Sequence, residues 1–142
     1  AKAAGHLRIR VEELPIIIPH DFKPSVIAVD SITALQSAFV GKPESYRIYI
    51  EQLFRLFERV GATTFLITET EEAPIRFSPT GVEEFLADGV FVLYYLKIRD
   101  TRVRAIEILK LRGVKHENVI VPFMISSNGI EVFPNERIYE ID

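Results

Sequence analysis

The chain contains no cysteine, which excludes disulfides and thiolate metal sites outright. Its three histidines, His6, His20 and His116, are scattered without helical ligand spacing, so no structural metal centre is expected. No apolar run approaches the length that spans a bilayer, and the first residues carry no signal-peptide pattern. The expectation is a cytoplasmic protein without membrane contact. A glycine-rich phosphate loop of the form G-x-x-x-x-G-K-[ST] is also missing. The single Gly-Lys pair, Gly41-Lys42, is followed by Pro43 and has Gln36 in place of the first glycine.

What remains is globular composition: 142 residues, 48% of them hydrophobic and 26% charged. That length suits one compact domain and is short for two. The formal net charge is −3, which argues against bulk attraction to nucleic acid or an anionic membrane. The distribution of charge is more telling. Residues 97–116 hold seven Lys or Arg against two acids, while the rest of the chain holds ten against eighteen.

Val26-Ile27-Ala28-Val29-Asp30 is a short continuous apolar run, the pattern of a strand buried on both faces of a parallel sheet. From Glu44 to Val60, apolar residues at Tyr46, Tyr49/Ile50, Leu53, Phe54, Phe57 and Val60 make a helical stripe, and Gly61 sits where a C-cap belongs. Thr63–Thr68 is a second β-branched run. Strand, helix, strand in this order predicts a βαβ unit with parallel neighbouring strands. Glu69–Thr80 reads as an acidic loop, Val82–Ala87 as one or two helical turns, and Gly89–Leu96 as another buried strand. After a turn at Arg99–Thr101 comes a long strand, Val103–Arg112. A hairpin closes the pattern, Val121–Ser126 and Ile130–Phe133 about an Asn128-Gly129 turn. Before Val26, Leu7–Val11 alternates like a strand, and Pro15, Pro19 and Pro24 disfavour any long helix. The chain opens as though inside a fold.

The chemistry gathers at Ile108-Leu109-Lys110-Leu111-Arg112-Gly113-Val114-Lys115-His116. Residues i and i+2 of a strand share a face, so Lys110 and Arg112 are expected side by side at the rim of a sheet. A planar guanidinium fork beside a point charge suits the terminal phosphates of a nucleotide. Such residues are also ordinary charges on an exposed strand. Asp30, an acid just after an apolar strand, equally suits a helix cap.

Taken together, Val26–Thr33 (VIAVDSIT), Gly61–Glu69 (GATTFLITE), Gly81–Leu93 (GVEEFLADGVFVL), Ile106–His116 (IEILKLRGVKH) and Pro122–Pro134 (PFMISSNGIEVFP) resemble the ATPase domain of the KaiC family within the RecA-like superfamily. The stretches stand in the family's order at near-family spacing over residues 26–134. The resemblance implies an α/β fold: a RecA-like, mainly parallel sheet flanked by helices and extended by C-terminal antiparallel strands. It makes residues 1–142 one partial domain lacking the N-terminal phosphate-loop portion and the paired glutamates that activate water.

It further implies ATP with Mg²⁺, bound between subunits of a homo-oligomeric ring, commonly a hexamer. Asp30 falls on the Walker B aspartate, the metal-holding position. Lys110 and Arg112 match the cations that reach the phosphate of the adjacent subunit's ATP. Leu111, Val114 and His116 match further positions lining that nucleotide, with Val114 standing where Thr is common. Ser126 and Ser127 match a Thr-Asp pair that contacts the nucleoside, here without its carboxylate. Glu12-Glu13 reads as solvated loop. Thr68 and Glu69 end the strand beside the Walker B strand, where a phosphate sensor or a plain strand end both fit.

The expected function is therefore the C-terminal portion of a ring ATPase. The alternatives are a non-catalytic oligomerisation module, or a RecA-like ATPase associated with nucleic acid. Against the last stand the overall acidity and the expected lack of a basic face interleaved with aromatics.

Overall fold

The computed structural model describes residues 22–70, 78 and 80–138, in two compact units divided after Glu69. The expected Leu7–Val11 strand, Glu12-Glu13 and most of the acidic loop lie outside the described residues.

The first unit is the predicted βαβ. Strand β1 (Val26–Asp30) pairs in parallel with β2 (Thr63–Ile67), in a register that sets Ala28 opposite Phe65 and Asp30 opposite Ile67. Between them run α1 (Ile32–Ser37), a short helix that the sequence pattern did not single out, and α2 (Pro43–Val60). Pro43 pre-sets the first turn of α2. Gly61 ends it in the left-handed region at φ 71°, its N–H donating to the carbonyls of Phe57 and Glu58. The stripe works as its spacing demands: Tyr46, Ile50, Leu53 and Phe57 are buried, together with Val29, Ile32 and Leu35. Phe39 edges against Tyr46 at 5.8 Å and tilts over Tyr49 at 5.2 Å, folding the α1–α2 connection onto α2. The expectation that β1 is buried on both faces is corrected. Among the described residues the ladder has two strands and one buried side, so Val29 is covered while Val26, Phe65 and Ile67 are exposed.

The second unit holds α3 (Val82–Leu86) and a four-stranded antiparallel sheet ordered β3-β4-β5-β6. Its strands are β3 (Gly89–Ile98), β4 (Thr101–Leu111), β5 (Val121–Ser126) and β6 (Gly129–Val132), the last two joined by the expected turn. Val92, Ala105, Val121 and Phe123 are its buried apolar residues. Here too a sequence expectation needs correcting. The run Gly89–Leu96 reads as wholly buried, yet Phe91, Leu93 and Tyr95 are exposed, so β3 is covered on one face only. No described helix is long and apolar enough to cross a membrane.

On the buried face of this sheet the Tyr94 hydroxyl donates to Glu107 Oε2 at 2.6 Å. Burial first, then that bond and the neighbouring carboxylate charge, push the Tyr94 pKa up to about 12. The neutral phenol is the form the fold favours. Its contribution is therefore complete below the ordinary tyrosine pKa near 10 and lost as pH rises from there through about 12. An alkaline absorbance titration should show a tyrosine ionising at about pH 12 that is missing in Tyr94→Phe, while Tyr49, whose pKa burial also raises, keeps its late ionisation in the variant. That variant should lose roughly 1 kcal/mol of stability at neutral pH. A titration unchanged by the substitution would refute the assignment.

Candidate functional site

In the first unit, the carboxyl ends of both parallel strands carry the polar residues. Asp30 ends β1 and is exposed to solvent. Ser31 caps α1, its Oγ accepting from the Ala34 N–H at 3.4 Å, so the capping role open to Asp30 belongs to its neighbour. The Glu69 N–H donates to Thr33 Oγ1 at 3.0 Å and ties the end of β2 to α1. Ligands of open α/β sheets collect at this end of parallel strands. Among the described residues no group of three or more His, Cys, Asp or Glu could hold a metal ion by itself. A lone exposed carboxylate suits Mg²⁺, which keeps several waters and takes the rest of its shell from substrate phosphates.

The second unit holds the cations, and a β-bulge decides where they point. Val90 pairs with Lys110, but Phe91 pairs with Ile108, so Leu109 is the extra residue in β4. Unbroken alternation would put Lys110 on the face of Ile106 and Ile108. The bulge moves it to the face of Val92 and Ala105, the buried side of the sheet. There Lys110 Nζ donates to the carbonyls of Glu84 (3.1 Å) and Phe85 (2.9 Å), at the C-terminal end of α3. A cation is favourable there because unpaired carbonyls carry partial negative charge.

Arg112 follows the strand, where Gly113 turns the chain at φ 73°. Its Nη1 reaches Asp88 Oδ1 at 2.8 Å and its N–H reaches the Asp88 carbonyl at 2.7 Å. Both cations are thus brought to the stretch Glu84–Asp88, Lys110 on the end of α3 and Arg112 on Asp88, just before β3. A helix as short as α3 has little stability of its own. Thr80 Oγ1, donating to Glu83 Oε2 at 2.9 Å, holds one end, and Lys110 holds the other.

Leu111 is half-buried, Val114 is exposed, and His116 is half-buried. His116 Nδ1 is covered and has no hydrogen-bond partner among the described residues. Ser126 and Ser127 lie at the β5–β6 turn, where Ser126 Oγ accepts from the Asn128 N–H at 3.2 Å. Asp88 and the α3 carbonyls are site residues that the sequence reading missed. The signal available was the acid of Ala87-Asp88-Gly89, facing a cation whose partner had to come from another strand. A hollow of about 290 Å³ on α2, lined by Tyr49, Gln52, Leu53, Arg55, Leu56 and Arg59, contains none of the candidates.

Comparison with known proteins shows the family. A family profile described as the KaiC ATPase matches residues 5–137. The circadian clock oscillator protein KaiC of Synechococcus elongatus is 36% identical over 111 residues, covering 76% of this chain and 21% of that protein. Its counterpart from Thermostichus vulcanus is 37% identical over 117 residues, covering 80% and 21%. The crystal structure of a KaiC-like protein from the hyperthermophilic archaeon Pyrococcus horikoshii superposes with a TM-score of 0.65 at 33% identity, covering 78% of this chain and 49% of that one. The chain thus spans about a fifth of the length of the curated relatives it matches.

Proposed function

Because this chain belongs to the KaiC family of ATPases, we propose that it works as part of a cytoplasmic ring ATPase, a hexamer, in which ATP lies between subunits. In this reading a phosphate loop supplied by another part of a longer protein cradles the nucleotide, and residues 1–142 form the remainder of one such domain. Asp30 is the Walker B aspartate. It would hold Mg²⁺ through water, and the ion when bound neutralises charge between the phosphates. Lys110 and Arg112 act on the ATP of the neighbouring subunit, offsetting charge that develops on the transferred phosphoryl group. Leu111, Val114 and His116 border the same nucleotide. Ser126 and Ser127 approach its nucleoside end, without a carboxylate for the ribose.

The observation that carries this reading is the convergence of both cations on Glu84–Asp88, Lys110 on the last turn of α3 and Arg112 on an exposed and exchangeable carboxylate. The Arg112–Asp88 pair is exposed, so its contribution is on the order of 1 kcal/mol or less. A phosphate bearing more charge than a carboxylate can displace Asp88 from the fork. Asp88 would then be a positioning residue that keeps Arg112 extended before nucleotide arrives.

Titration calorimetry of the 142-residue chain with Mg-ATP tests the division of labour. The chain has the cations and Asp30 but no phosphate loop of its own, so no binding tighter than about millimolar is expected. Tight, stoichiometric binding by a monomer would contradict it, since a phosphate cradle would then have to exist within these residues.

A further inference from the structure

Antiparallel pairing builds a surface at the β3–β4 turn that the linear sequence conceals. In this register Lys97 stands opposite Arg102, Tyr95 opposite Arg104, and Phe91 opposite Ile108, all on one face. The Arg102 and Arg104 guanidiniums lie 5.4 and 5.0 Å from the centre of the Tyr95 ring. Arg102 Nη1 also donates to the Tyr95 carbonyl at 3.2 Å, which fixes its plane. Arg99 adds a fourth exposed cation at the turn, and Asp100 is the one acid there. Tyr95 stays 54% exposed and Phe91, further along the strand, 55%.

Like charges directly opposite each other, as at Lys97 and Arg102, weaken a sheet rather than stabilise it. An anionic ligand between them would relieve that repulsion. We propose that this face of the β3–β4 hairpin binds single-stranded nucleic acid. The cations meet phosphates, and Tyr95 with its flanking guanidiniums forms a stacking platform. Aromatic and guanidinium planes on an open sheet suit unpaired bases, whose faces a duplex hides. Three arginines to one lysine also suits phosphate, which the planar fork engages through two bonds. The surface sits at the Thr101 end of β4, roughly 30 Å along the strand from Lys110, so it is independent of the nucleotide site.

The test is fluorescence polarisation of the 142-residue chain with a labelled oligo(dT) of about twenty nucleotides at low salt. Binding should weaken with salt, with a log–log slope of about −2 to −3 for three or four phosphates neutralised. Lys97→Glu/Arg104→Glu should lower affinity at least about tenfold, and Tyr95→Leu about tenfold, while Tyr95→Phe keeps it. Arg55→Glu/Arg59→Glu makes the same charge change on α2 and should leave affinity within about threefold. Matched melting curves separate loss of binding from loss of fold. Four results would overturn the proposal: no binding, equal loss in the α2 variant, duplex bound more tightly than single strand, or polyglutamate and anionic vesicles competing equally while Tyr95→Leu has no effect.

Discussion

Replacing both Lys110 and Arg112 by alanine in the phosphate-loop-bearing ring protein should lower kcat for ATP hydrolysis by about three orders of magnitude. That is the low end of what a finger arginine contributes to phosphoryl transfer. KM for ATP should change far less, because most of the ground-state grip comes from the phosphate loop, whereas these cations meet charge that grows on the way to the transition state. Arg112→Ala alone should account for most of the loss. A guanidinium fork matches two phosphate oxygens, and Lys110 also holds the carbonyls of Glu84 and Phe85. Asp88→Asn makes the useful contrast. It removes only an exposed partner of Arg112, so kcat should fall by no more than about tenfold. A double variant with normal turnover, or one that merely raises KM, would mean that the pair serves α3 and not the reaction.

Ile50→Ala should destabilise the 142-residue chain by about 2–5 kcal/mol. Ile50 is 0% exposed and sits in the middle of the α2 stripe, between Tyr46 and Leu53, so its loss opens a cavity that neighbours cannot easily fill. Single domains hold only about 5–15 kcal/mol in total, so the urea midpoint should fall steeply or the first unit should fail to fold. Ile48, two residues away on the same helix, is 56% exposed, and Ile48→Ala should shift stability by no more than about 0.5 kcal/mol. Equal effects at the two positions would contradict the burial of this stripe.

How legible each part was depends on whether its cause is local. The helix Pro43–Val60 carries a sustained period and ends at Gly61, so the expected Glu44–Val60 matches it to within a residue; Pro43 at its first turn is a start signal that this expectation did not use. The βαβ pairing of β1 with β2 follows from connection geometry, and the Asn128-Gly129 signal locates the β5–β6 turn. The exposed faces were not readable. A run such as Val90-Phe91-Val92-Leu93-Tyr94-Tyr95 is apolar whether one side or both are covered, and only the neighbours decide.

The cations show the same limit at the scale of one residue. Their identity and spacing are plain in the sequence, but the extra residue at Leu109 assigns Lys110 to the side of α3, and that depends on register with β3. Asp88 as the partner of Arg112, 24 positions away, is likewise a product of pairing between distant positions. Tyr95, Arg102 and Arg104 stand close in the chain, but which of them share a face depends on the register about the β3–β4 turn.

Action across a subunit boundary is most directly tested by mixing two inactive variants of the ring protein. One carries Asp30→Asn and keeps its cations. The other carries Lys110→Ala/Arg112→Ala and keeps Asp30. If cations serve the neighbour's nucleotide, some boundaries in a mixed ring join an intact Asp30 to intact cations, and ATP turnover returns on mixing. If each subunit serves its own nucleotide, every site keeps one defect and the mixture stays as inactive as its parts.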